Sequence, residues 1–142
     1  MYRNRRILIV EDERVLAMNL SIYLARRFDE VRVAQSGEEA LSMSESFKPD
    51  VVVLDYGLHG MNGVQTYSQL KRRCTRPLGC VMITGYPPEM IARAARERGI
   101  CRMLCKPFPL SDLQDLVELS ADNGCCHLDR HPAPTTPGRM PS

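Results

Sequence analysis

Glu11, Asp12, Asp55, Thr84 and Lys106 are residues suited to phosphate chemistry, and each stands at the end of an apolar run of strand length. Ile7-Leu8-Ile9-Val10 leads into Glu11-Asp12, Val51-Val52-Val53-Leu54 into Asp55, Val81-Met82-Ile83 into Thr84, and Met103-Leu104-Cys105 into Lys106-Pro107. A carboxylate can attack phosphorus and form an aspartyl-phosphate when its neighbours neutralise the incoming charge. Asp55 is the candidate nucleophile. Glu11 and Asp12 would repel it and each other unless a cation lay among them, and Mg²⁺, a hard ion that takes oxygen ligands, suits such a set. Lys106 supplies a point charge that can pair with Asp55 at rest and with a phosphoryl oxygen afterward. The Thr84 hydroxyl can donate to another oxygen of the same group. Taken singly, an aspartate at a strand end is usually a turn or cap residue, a strand threonine is structural, and Lys-Pro marks a loop. Their recurrence at successive strand ends sets them apart.

The elements that must position these residues follow from the pattern. In an open parallel sheet the ligand site lies outside the carboxyl ends of the strands, so residues distant in sequence converge there. Apolar runs alternate with stretches of helical period, as repeated strand-helix units do, and five such units fit. Runs near 7–10, 51–54 and 80–83 are continuously apolar, which suits central strands covered on both faces. Val31-Arg32-Val33-Ala34 and Cys101-Arg102-Met103-Leu104-Cys105 each admit an arginine and suit edges. With right-handed crossovers this predicts an α/β, flavodoxin-like doubly wound fold, a five-stranded parallel sheet of order 2-1-3-4-5 with five helices. The helices are expected near 14–27, 37–46, 63–73, 88–98 and 110–120. Leu16, Leu20, Tyr23 and Leu24 form one stripe of the first; Ser36 caps the second ahead of Glu38-Glu39; Pro88 suits the start of the fourth and Gly99 its end.

A chain of 142 residues can bury a proper core as one domain. The expected division is a folded domain over 1–121 and a disordered, Pro- and Cys-containing tail over 122–142, since the composition after Ala121 turns to Cys, His and Pro with little apolar material. No apolar stretch approaches the ~20 residues that span a bilayer, and the start carries no signal-peptide core, so a cytoplasmic location without membrane contact is expected. A net charge of +2 is too small to argue for nucleic acid. Lys71-Arg72-Arg73 with Arg76, and Arg93, Arg96 and Arg98, suit solvated helix faces. No helix-turn-helix, zinc-finger or basic-region pattern is visible, and no direct DNA binding is expected. The six cysteines suit free thiols in a reducing compartment. The Cys101/Cys105 pair is weak evidence for metal, and Cys125-Cys126-His127 with His131 matches no standard structural zinc site.

From about Arg5 to Ser120 the chain resembles the receiver domain of bacterial two-component response regulators. Ile7-Leu8-Ile9-Val10-Glu11-Asp12-Glu13 is similar to that family's opening acidic strand, and Val53-Leu54-Asp55-Tyr56-Gly57-Leu58-His59-Gly60-Met61-Asn62-Gly63 to its phosphoacceptor segment. Ile83-Thr84-Gly85 and Cys105-Lys106-Pro107-Phe108 complete the set. The resemblance implies that a sensor histidine kinase or histidine phosphotransfer protein donates phosphate to Asp55. It also implies that Asp12 and Asp55 bind Mg²⁺ directly, that Glu11 assists through water, and that the Gly57 carbonyl completes the protein ligands. A cis bond before Pro107 is implied as well.

Two positions depart from the family pattern. His59 stands where proline is most frequent, and a structural role is expected of it. Met103 stands where the family carries a tyrosine or phenylalanine that swings inward when the threonine moves. Methionine fills gaps but lacks the flat ring and the hydroxyl. Output is therefore expected through Thr84-Gly85-Tyr86-Pro87-Pro88 and the fourth helix, with Tyr86 as the alternative aromatic. The expected function is a stand-alone receiver that is no enzyme in the ordinary sense but promotes its own phosphorylation and dephosphorylation. It would signal to a downstream protein, with a homodimer through the face from the fourth helix to the fifth strand as a further expectation. The alternative is a phosphate shuttle or sink in a relay. A haloacid-dehalogenase-type phosphatase fits less well, because Glu11 and Glu13 occupy the spacing of its paired aspartates and no cap insertion is visible. A flavodoxin would need a hydroxyl- and glycine-rich phosphate loop after the first strand.

Overall fold

The computed structural model describes residues 2–100 and 102–123. Five strands and five helices alternate: β1 Tyr2–Val10, α1 Arg14–Leu24, β2 Phe28–Ala34, α2 Gly37–Phe47, β3 Val51–Asp55, α3 Gly63–Arg73, β4 Gly79–Thr84, α4 Pro88–Glu97, β5 Met103–Cys105 and α5 Leu110–Asn123. All pairings are parallel and the order is β2-β1-β3-β4-β5, so the expected topology and both edges hold.

Strand parity divides the core. Successive side chains of a strand point to opposite faces. Ile7, Ile9, Val51, Val53, Val81 and Ile83 face one side, where they pack with Leu20 and Leu24 of α1, Phe28, and Leu113 and Val117 of α5. Leu8, Val10, Val52, Leu54, Cys80 and Met82 face the other, against Leu41 and Phe47 of α2, Val64, Tyr67 and Leu70 of α3, and Ile91 and Ala95 of α4. The three central runs read as continuously apolar because both faces are covered, and every residue of β3 and β4 is buried.

Several boundaries differ from the sequence reading. α1 ends at Leu24, and Ala25–Arg27 form exposed turns rather than the helix's last turn. β2 starts at Phe28, which is fully buried and pairs with Tyr2, so this strand is longer than Val31–Ala34. A charged Asp29-Glu30 pair hides it from an apolar-run search. β1 reaches back to Tyr2 and β5 is confined to Met103–Cys105. α5 continues to Asn123, two residues into the expected tail. Cys101 and residues 124–142, including Cys125, Cys126, His127 and His131, lie outside the described residues.

Local signals fix the helix starts. Ser36 Oγ accepts the Glu39 N–H at 3.0 Å, and the Glu38-Glu39 charges lie in the first turn of α2. Asn62 and Gln65 form a reciprocal capping box at α3. Pro88 opens α4. No helix of the described residues is long and apolar enough to cross a membrane.

Candidate functional site

The carboxyl ends of β1, β3, β4 and β5 meet at one edge, and their backbones are tied there. Tyr56 N–H donates to the Ile83 carbonyl at 2.8 Å, and Lys106 N–H to the Thr84 carbonyl at 2.7 Å. The Lys106–Pro107 bond is cis. Gly63 N–H closes the loop after β3 on the Tyr56 carbonyl at 3.0 Å. A Cβ at Gly63 would lie 2.8 Å from the Asp55 carbonyl and 2.9 Å from Tyr56 Cα, so α3 can approach the strand end only with glycine at this position.

Glu11, Asp12 and Asp55 each bring an oxygen within 4.8 Å of the others. Glu11 and Asp55 are buried, and Asp12 is partly exposed at the mouth. Lys106 Nζ stands 3.5 Å from both Glu11 Oε1 and Asp55 Oδ1. Glu11 Oε2 accepts the Glu13 N–H at 3.1 Å, and Asp55 Oδ1 the Gly57 N–H at 3.3 Å. Glu11 Oε1 is buried and accepts no hydrogen bond. A buried carboxylate oxygen without a hydrogen bond, met only by the Lys106 ammonium at 3.5 Å and set beside two other carboxylates, fits a divalent, oxygen-bound cation. Burial is the main cause that raises the Glu11 pKa from 4.5 to about 7. The Asp55 and Asp12 charges push the same way, while the Glu13 N–H and Lys106 push against them.

Thr84 is fully buried. Its Oγ1 accepts the Tyr86 N–H at 2.8 Å and lies 3.4 Å from the Tyr86 carbonyl. The Tyr86 ring is half exposed and meets Tyr56 edge to face, with centroids 5.7 Å apart and planes at 89°. Met103 packs, partly buried, against the α2–α4 side of the core. His59 reaches Asp12 Oδ2, with Nδ1 at 2.7 Å and the backbone N–H at 3.4 Å.

All of Glu11, Asp12, Asp55, Gly57, Thr84 and Lys106 therefore lie at one edge, as the strand-end spacing requires. Sequence reasoning missed the Tyr56–Tyr86 pair, the His59 contact and the close approach at Gly63. The Asn62/Gln65 spacing was a legible cap signal. The other contacts depend on where the loops fold and leave no periodic trace.

This parallel sheet, with carboxylates and a lysine at its carboxyl edge, defines a CheY-like domain of the flavodoxin-like class. The family model for the response regulator receiver domain matches residues 7–118, and the chain belongs to that family. Among curated relatives, the transcriptional regulatory protein PdtaR of Mycobacterium tuberculosis is 32% identical over 117 residues, which are 82% of this chain and 56% of that protein. The alkaline phosphatase synthesis transcriptional regulatory protein PhoP of Bacillus subtilis is 34% identical over 106 residues, 74% of this chain and 43% of that protein. The chain thus spans about half the length of the curated relatives it matches. The receiver domain of NtrX from Brucella abortus superposes with a TM-score of 0.75 at 28% identity, covering 83% of this chain and 99% of that one. A CheY-like receiver protein from Methanospirillum hungatei gives 0.76 at 23% identity, covering 83% and 94%, a likeness of fold. Receiver domains interact with histidine kinases or phosphotransfer proteins and typically use Mg²⁺ at an acidic pocket.

Proposed function

We propose that this receiver accepts a phosphoryl group on Asp55 from a histidine kinase or histidine phosphotransfer protein and signals through protein contacts. The observation that carries the reading is the convergence of Glu11, Asp12 and Asp55 within 4.8 Å, with Lys106 at 3.5 Å from Asp55. Lys106 and the Gly57 N–H both address Asp55 Oδ1, which leaves Oδ2 as the attacking oxygen. It bonds to phosphorus as the bond from phosphorus to the donor's imidazole nitrogen breaks, and that nitrogen keeps the electron pair. Lys106 then follows the charge onto a phosphoryl oxygen, and Thr84 donates its hydroxyl to another. Glu11, Asp12, Asp55 and the Gly57 carbonyl are the groups that would hold Mg²⁺, whose charge offsets that of the acidic pocket and the incoming phosphate. The same groups make the domain promote its own phosphorylation and dephosphorylation.

For Thr84 to turn toward the phosphoryl group, its bond to the Tyr86 N–H must change. That supports output through the loop before α4 in place of the aromatic absent at Met103. The second reading, a shuttle or sink without conformational output, is favoured by Met103 alone. It is separated by whether any protein other than the phosphodonor prefers the phosphorylated form.

Intact mass after incubation with Mg²⁺ and acetyl phosphate tests the reading. One added phosphoryl group is expected, dependent on Mg²⁺ and lost in Asp55→Asn. A folded wild-type protein that gains no mass from acetyl phosphate or from any histidine kinase would sink it.

A further inference from the structure

The loop after β3 is fixed at both ends, by the Tyr56 N–H on Ile83 and the Gly63 N–H on Tyr56, and it turns through Gly60 at a φ of +79°. Between these anchors His59 directs two donors at one oxygen of Asp12, which lies 47 residues away in sequence at the end of β1. An ionised carboxylate only accepts hydrogen bonds, so Nδ1 carries the hydrogen in this contact whatever the state of Nε2. The His59 side chain is 96% exposed and that of Asp12 24%. An isolated surface pair of this kind would be worth little. Here, however, a backbone and a ring donor from one residue meet on the same oxygen, and that oxygen belongs to the acidic pocket. A proline at this position would supply neither donor.

We propose that His59 is a positioning residue of the acidic pocket: it commits Asp12 Oδ2 to the loop after β3 and so restricts Asp12 to one oxygen for a divalent cation. The inference rests on the metal-dependent phosphoacceptor reading above and adds a residue to it. Outer partners of this type orient a ligand and reduce the freedom it must lose on binding. The contact also joins the ends of β1 and β3 at the pocket mouth.

The test is a substitution series read by Mg²⁺ titration of the tyrosine fluorescence. The chain has no tryptophan and five tyrosines, of which Tyr56 directly follows Asp55, so the Mg²⁺-dependent change that is lost in Tyr56→Phe is the part of the signal that reports on this region. His59→Ala removes the ring donor and should weaken Mg²⁺ binding about 3–10-fold, below the roughly 10–100-fold typical of outer-shell partners because this one is exposed. His59→Pro removes both donors and should weaken it further. His59→Asn places an amide nitrogen at the position of Nδ1 and should bind within about twofold of wild type. Alanine binding as tightly as wild type, or asparagine binding as weakly as alanine, would overturn the proposal. Acetyl phosphate labelling of the wild type is read in parallel. If the wild type binds Mg²⁺ but gains no phosphoryl group, the phosphoacceptor reading fails while the series still decides the role of His59. A wild type that binds no Mg²⁺ overturns both.

Discussion

Glu11 shows how one residue can couple this pocket to pH. It is buried beside Asp55 and Asp12, which raises its pKa from 4.5 to about 7. Between those values the folded metal-free chain holds a proton that the unfolded chain has released. Stability should therefore fall as pH rises through that window, by up to about 3 kcal/mol. The contribution is fully present below about pH 4.5 and gone above about pH 7. Metal-free protein melted at pH 5.5 and pH 7.5 should show this loss, and Glu11→Gln, which cannot ionise, should show much less of it. Mg²⁺ at pH 7.5 should raise the midpoint of the wild type more than that of the variant. Equal pH slopes for the two proteins would refute the assignment. Lys106 opposes the shift from 3.5 Å away but does not cancel the cost of burial.

At the scale of elements, the turn between β4 and α4 is the segment most directly tied to the site. Tyr86 holds Thr84 Oγ1 through its N–H and places its ring against Tyr56. An aromatic pair in this edge-to-face geometry is worth about 0.5–1.5 kcal/mol beyond its buried area. Tyr86→Ala keeps the backbone donor and removes the ring. It should leave acetyl phosphate labelling of Asp55 close to wild type while shrinking the difference in partner affinity between the phosphorylated and unphosphorylated forms. An unchanged difference would show that the ring is no part of the output. Tyr86, half exposed in this turn, and Met90, exposed in the first turn of α4, are the large apolar side chains that this segment leaves to solvent.

The described residues form one sheet shared by two apolar layers, so damage to either should be felt by both. Leu24 of α1 is fully buried in the layer with Phe28 and Val117. Leu24→Ala should cost about 2–5 kcal/mol through lost burial and the cavity left behind. Urea unfolding should remain a single cooperative transition with a lower midpoint. Two separated transitions would mean that the α1/α5 layer melts on its own. The loss should not depend on Mg²⁺, which distinguishes it from the effect of Glu11→Gln at the pocket.

The sequence by itself determined the sheet order, because burial on both faces imposes continuous apolar runs on β1, β3 and β4 and leaves to the edges β2, which carries Arg32, and the short β5, which Arg102 immediately precedes. It also placed Glu11, Asp12, Asp55, Thr84 and Lys106 at one edge, since parallel strands bring their carboxyl ends together. It did not reveal that β2 starts at Phe28, because one apolar side chain before Asp29-Glu30 carries no period. It left α1 three residues too long, because Arg26 and Arg27 suit an exposed helix as well as a turn. Only the tertiary structure decided that Glu11 Oε1 would be buried without a hydrogen bond, that Gly63 must come within a methyl group's breadth of the Asp55 backbone, and that His59 would close on Asp12. Those facts are distances between loops whose paths are set by packing and by hydrogen bonds remote in sequence. Residue type and periodicity do not encode them.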